Sequence, residues 1–140
     1  LGQTDAELPE SFNHIPLIFH ASWLKPAERT QFAGQVDVAP TILGLLRLPY
    51  VQNNFGLDLL HDAPRPAAFY TADKMIAARN DRQLFLYNAE LKQPYCYNIA
   101  PDGRPVPTSF SPAFAPLRQY VFALLQTTEY MVQHGMTRTR

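Results

Sequence analysis

Apolar positions along the chain fall into three patterns. "HIPLIFHA", His14 to Ala21, is nearly continuous in apolarity and too short for a helix. That suits a strand buried on both faces. "DVAPTILGLLRL" places Val38, Ile42, Leu45, Leu46 and Leu48 near one helical stripe. Asp37 precedes it as an N-cap, Pro40 falls in the first turn, and Pro49 stops it. Four short runs follow, "AAFYTA", "MIAARN", "QLFLYNAE" and "PYCYNIA". Their close spacing predicts antiparallel hairpins, with turns at Asn80-Asp81 and Asp102-Gly103. Finally, Phe114, Leu117, Val121, Leu124, Thr128 and Met131 recur at helical spacing, opposite Arg118, Gln119, Gln126, Glu129 and Gln133. Ser111-Pro112 opens this amphipathic helix and Gly135 closes it.

The elements divide the chain into a polar loop over 1–13, a strand–helix–loop region over 14–60, antiparallel strands over 67–100 and a terminal helix over 111–134. The fold class is α/β, in the form of an α+β fragment, with residues 1–140 forming one subdomain of a larger domain. The first residue is Leu1, and no basic segment followed by an apolar one comes after it. The chain is therefore expected to be a piece of something longer or a processed product.

Composition narrows the partners. Twelve basic and twelve acidic residues cancel, so no charge excess calls for nucleic acid or an acidic membrane. No apolar run approaches the roughly 18 residues of a membrane span. Cys96 is the single cysteine, which excludes a disulfide framework or a cysteine metal site within one chain. Thirteen prolines, in short clusters, punctuate elements rather than form a tract.

Candidate chemistry is sparse. His14 and His20 share a strand face but stand roughly 20 Å apart along it, too far to bind one metal. His61-Asp62 is an adjacent loop pair that could join a site; a solvated pair is the ordinary reading. His134 meets a helix C-terminus, where its charge is favoured. No nucleophile elbow, P-loop or dinucleotide fingerprint occurs. Cys96 sits in a strand pattern, as a packed thiol does. Tyr87, Tyr95 and Tyr97 could stack a base or sugar, although strand spacing favours sheet packing. Trp23 with Lys25 and Arg29 could line a polar rim. These residues leave open a part of an enzyme, a non-catalytic partner-docking module, or a small-ligand-binding module.

The order of motifs adds to this. Ile15-Pro16-Leu17-Ile18, then Gln35 to Leu46 with its Asp-x-x-Pro-Thr core, then Phe55-Gly56 to Leu59, resembles the C-terminal part of the sulfatase and alkaline-phosphatase superfamily. The nearest likeness is to the lipoteichoic-acid-synthase-like branch of phosphoglycerol and phosphoethanolamine transferases. The match is densest over residues 14–60, about a third of the chain. Two departures fall in turns: Ser22-Trp23 where the family often has Pro-Gly, and Arg47 where it often has Gly.

The resemblance implies an alkaline-phosphatase-like fold. It also implies a parent enzyme with a divalent metal (Mn, Zn, Mg or Ca) and a Thr, Ser or modified Cys nucleophile. No position of this chain matches a ligand or the nucleophile, so no catalytic residue, metal ligand or cofactor is assigned to it. His20 and Trp23 are candidates for the rim of the substrate cleft. Asp37 is a structural helix cap, and Asp37→Ala is expected to cost about 1 kcal/mol. The implied partner is the remainder of the catalytic domain, acting on an envelope lipid or glycan at the extracytoplasmic, periplasmic side of a bacterial inner membrane.

Overall fold

The computed structural model describes residues 15–72 and 74–138. The loop expected over 1–13 and His14 lie outside the described residues. Two compact units divide the chain, residues 1–30 and residues 31–140.

In the first unit, residues 15–20 form no strand. Ile15, Leu17 and Ile18 are exposed, Ile18 at 81%. This corrects the buried strand expected over His14 to Ala21. A strand persists in a core only when its backbone groups are paired and its faces covered. Residues 15–20 have no ladder partner among the described residues. Beyond them Ser22 and Trp23 form a tight turn, closed by the Leu24 N–H donating to the Ala21 carbonyl at 3.0 Å.

The second unit opens with a 3-10 turn, Gln35–Asp37, that runs directly into α1, Val38–Leu45. Two bonds close α1. Leu48 N–H donates to the Leu43 carbonyl and Arg47 N–H to the Gly44 carbonyl, both at 3.0 Å. This double bond pattern ends a helix through one left-handed residue. That residue is Arg47, with φ 53°. The buried side of α1 carries Asp37, Pro40 and Thr41, while Ile42, Leu46 and Leu48 are exposed. The helix expected from the apolar stripe is present, but three of the five stripe residues are exposed, and Val38 and Leu45 are only half-buried. The physical reason is a loop, residues 55–65, that covers and satisfies the polar side.

Among the described residues five strands form one antiparallel meander in sequential order: β1 Ala68–Ala72, β2 Met75–Arg79, β3 Gln83–Asn88, β4 Gln93–Ile99 and β5 Pro105–Thr108. The chain thus has mixed helix and antiparallel sheet. Asn80 shapes the β2–β3 turn, its Oδ1 accepting the N–H groups of Arg82 and Gln83 at 2.9 and 2.8 Å. The Asp102-Gly103 turn leads to a strand that the alternation did not predict. β5 holds Pro105 and Pro107 and is wholly exposed. Proline removes ladder donors, so such a segment is confined to an edge, where β5 lies.

Register fixes the core. Ala78 pairs with Phe85 and Phe85 with Cys96, which sets these three side chains in a row on one face. A 3-10 turn, Pro112–Phe114, leads into α2, Ala115–Gln133, which lays Phe114, Leu117 and Val121 against that row. Edge-to-face ring pairs flank it, Phe69 with Tyr120 and Tyr87 with Phe122 at a centroid distance of 4.9 Å. The other face carries buried Met75, Ala77, Leu84 and Leu86. Burial on both faces explains the unbroken apolar run of β3. Tyr95 and Tyr97 pair with Leu86 and Leu84 on that second face, whereas Tyr87 lies on the helix side, so the three tyrosines make no single stacking platform.

Of the expected stripe of α2, Phe114, Leu117 and Val121 are buried, Leu124 and Met131 are half-buried and Thr128 is exposed, and the residues beside its end are open to solvent. Val132 is 62% exposed and Tyr130 55%. The helix ends as its sequence indicates. Met136 N–H donates to Met131 O at 2.8 Å, Gly135 N–H donates to Val132 O at 3.2 Å, and Gly135 is left-handed at φ 64°.

Candidate functional site

The densest polar arrangement among the described residues joins the start of α1 to residues 55–65. Asp37 is fully buried. One carboxylate oxygen accepts the Gly34 N–H at 2.7 Å, three residues back across the 3-10 turn. The other accepts the Leu57 N–H at 2.8 Å and an ion-pair hydrogen bond from the Arg65 guanidinium. Asp37 makes no side-chain bond to the α-helical N–H groups ahead of it. Asp37 thus stands at the N-cap position of α1, as expected, but as a buried junction whose carboxylate serves the 3-10 turn and the loop instead of the first turn of α1.

Thr41, one turn on, is also fully buried. Its hydroxyl donates to the Asp37 carbonyl at 2.6 Å and accepts the Leu59 N–H at 3.1 Å. Asp37 and Thr41 thus take alternate backbone donors, Leu57 and Leu59, of the segment that follows Gly56. Two glycines permit the approach. A Cβ on Gly56 would overlap the Val36 carbonyl, and a Cβ on Gly44 would overlap the Asp58 carboxylate. Arg65 completes the clamp by donating to the Phe55 carbonyl at 3.2 Å and lying 5.1 Å over the Phe69 ring. The polar face of α1 is buried because the clamp satisfies its groups, while Ile42, Leu46 and Leu48 are left exposed.

A second pair hangs from the clamp. Residues 58–62 form one helical turn, with the Asp62 N–H donating to the Asp58 carbonyl at 2.8 Å. Asp58 Oδ1 accepts the Leu60 N–H at 3.0 Å, and Oδ2 lies 2.7 Å from His61 Nδ1. The Asp58 side chain is 9% exposed and that of His61 67%. Burial alone would push the Asp58 carboxyl up. The hydrogen bonds from His61 and the Leu60 N–H, with the charge of His61, outweigh it and hold the carboxyl below its ordinary value. Adjacency suggested His61-Asp62, but Asp62 turns to the backbone and accepts the Asp58 N–H at 2.8 Å. The readable signal was the i, i+3 spacing of Asp58 and His61.

His20 and Trp23 lie exposed in the first unit, Trp23 at 61%. Neither belongs to the clamp of Asp37, Thr41 and Arg65. Cys96 is buried in the core, and burial raises its thiol above the ordinary value. His134 Nδ1 lies 2.8 Å from the Tyr130 carbonyl at the end of α2. Among the described residues no three His, Cys, Asp or Glu side chains stand together to hold a metal. No helix among them is long and apolar enough to cross a membrane. A shallow depression of about 400 Å³ lies beside α2, lined by Pro66, Ala67, Pro116, Leu117 and Tyr120. It borders Asn80, whose side-chain oxygen is already used in the β2–β3 turn.

Comparison of the chain with protein-family models, with curated proteins and with solved structures finds no match. A functional reading rests on the geometry and the motif order.

Proposed function

We propose that the chain is the C-terminal structural part of a metal-dependent sulfatase-like enzyme with an alkaline-phosphatase-like fold. Its class would be a bacterial envelope phosphoglycerol or phosphoethanolamine transferase, or a hydrolase of phosphoric or sulfuric esters. One observation carries the reading: the two marker segments are bonded to each other. The Asp and Thr of Asp-x-x-Pro-Thr hold alternate N–H groups of the Phe55-Gly56 segment, through Leu57 and Leu59. Residues at those spacings have a joint structural role, which supports reading the two motifs together. The left-handed Arg47 stands where the family often has Gly, a residue that suits such a helix end.

In this reading the metal and the nucleophile belong to the preceding part of a parent polypeptide, facing the extracytoplasmic side. This chain supplies scaffold. The exposed apolar residues on and just after α1, Ile42, Leu46 and Leu48, offer a surface to the rest of the domain. The same residues support a second reading, a partner-docking module without catalysis.

Reading the coding sequence upstream of Leu1 separates the two. The enzyme reading expects a Thr, Ser or modifiable Cys nucleophile and an Asp-His or Asp-Asn pair there. It also expects Mn²⁺-dependent cleavage of a nitrophenyl phosphodiester by the longer polypeptide and none by residues 1–140. An upstream region without those residues, or Mn²⁺-dependent turnover of that phosphodiester by this chain alone, would sink it.

A further inference from the structure

We propose that His61, oriented by Asp58, is a proton-transfer site that acts as general base toward an ester presented at its Nε2. The placement has three parts. The Asp58 carboxylate is buried under α1 at a position where Gly44 leaves room for it, while the imidazole above it is largely exposed. The two carboxylate oxygens divide their partners, Oδ1 holding the Leu60 N–H and Oδ2 holding the ring at 2.7 Å. An ionised carboxylate only accepts, so Nδ1 must carry the proton, and the neutral ring then keeps its lone pair on Nε2. Asp62 does not compete, because its carboxylate bonds the Asp58 N–H.

A carboxylate behind Nδ1 also serves histidines that bind metals. No second and third ligand stand with His61 among the described residues, which favours proton transfer. In the step, water oxygen bonds to the ester's electrophilic centre as Nε2 takes a water proton. The bond to the leaving oxygen then breaks with its electron pair, and the imidazolium returns the proton to that oxygen. Nothing is oxidised or reduced. His61 would be the catalytic residue and Asp58 a positioning residue. The reading of the chain as part of an ester-cleaving enzyme supplies only the substrate class.

The test uses the chain itself and 4-nitrophenyl acetate, an activated ester that needs no metal. ¹⁵N NMR above neutral pH should show the Nδ1–H tautomer for His61, and the Nε2–H tautomer would overturn the proposal. His61→Gln, a change at an exposed ring, should lower the hydrolysis rate about tenfold. An unchanged rate would overturn the proposal, as would a solvent deuterium isotope effect near unity. Asp58→Asn should shift the tautomer and lower the rate similarly while the amide spectrum stays folded. The tautomer and the isotope effect are read whatever lies upstream, so failure here is distinct from failure of the enzyme reading.

Discussion

At the residue scale, Asp37 shows how burial changes a cost. An exposed cap is worth about 1 kcal/mol, which is what the sequence suggested for Asp37→Ala. The buried carboxylate instead serves Gly34, Leu57 and Arg65. Removing it strands a guanidinium that is itself 5% exposed. Breaking one partner of a buried pair costs about 3–5 kcal/mol. Urea unfolding of Asp37→Ala should show a loss in that range, and a loss near 1 kcal/mol would mean the pair carries nothing. Arg47 works in the other direction. A left-handed non-glycine residue costs about 1–2 kcal/mol, partly offset by the flexibility of glycine in the unfolded chain. Arg47→Gly should stabilise by about 0.5–1 kcal/mol in the same measurement. Asp58 adds a pH dependence. Its carboxyl is held below the ordinary value, so near that value the unfolded chain binds more protons than the folded one. The stability it contributes is full above the unfolded pKa and lost as pH falls through the folded one. Asp58→Asn should flatten the acid limb of a stability–pH curve, and an unaltered limb would deny the Asp58–His61 pair that role.

At the element scale, local patterns were legible and pairings were not. Alternation, turn residues and helix signals located four strands, the Asn80 and Gly103 turns and α2, because each depends on neighbours within a few residues. β5 escaped because Pro105 and Pro107 argue against a strand until a partner is known. The run from Ile15 to Ile18 misled for the converse reason: apolarity without a ladder partner makes no strand. Asp37 was legible as a helix-start residue, but its partners lie 20 and 28 positions downstream, beyond any periodicity. The prolines of β5 carry a prediction of their own. Both sit at the free edge strand, and neither can donate a ladder hydrogen bond. Replacing Pro105 and Pro107 together by Thr should leave the meander intact but raise self-association, as light scattering against concentration would show. A double variant as monodisperse as the parent would mean the edge is protected by something other than its prolines.

Across the whole molecule, the two helices bury opposite kinds of face. α2 buries apolar Leu117 and Val121, whereas α1 buries Asp37, Pro40 and Thr41 and leaves Ile42, Leu46 and Leu48 outside. A helix ordinarily contributes through its apolar stripe. Here the polar clamp anchors α1 instead, and Ile42, Leu46 and Leu48 are left exposed among the described residues. Removing these side chains should cost little: surface substitutions away from special features stay within about 0.5 kcal/mol. Ile42→Gln with Leu46→Gln should therefore unfold in urea close to the parent. The same change takes away an exposed apolar patch of the kind that promotes association. The double variant should sediment as monomer at concentrations where the parent begins to associate. A stability loss above about 2 kcal/mol would show instead that Ile42 and Leu46 are packed within the chain, at the scale of a core truncation. These residues would then no longer be a face offered to the rest of a domain or to a partner, and both readings of the chain would lose the surface on which they rely.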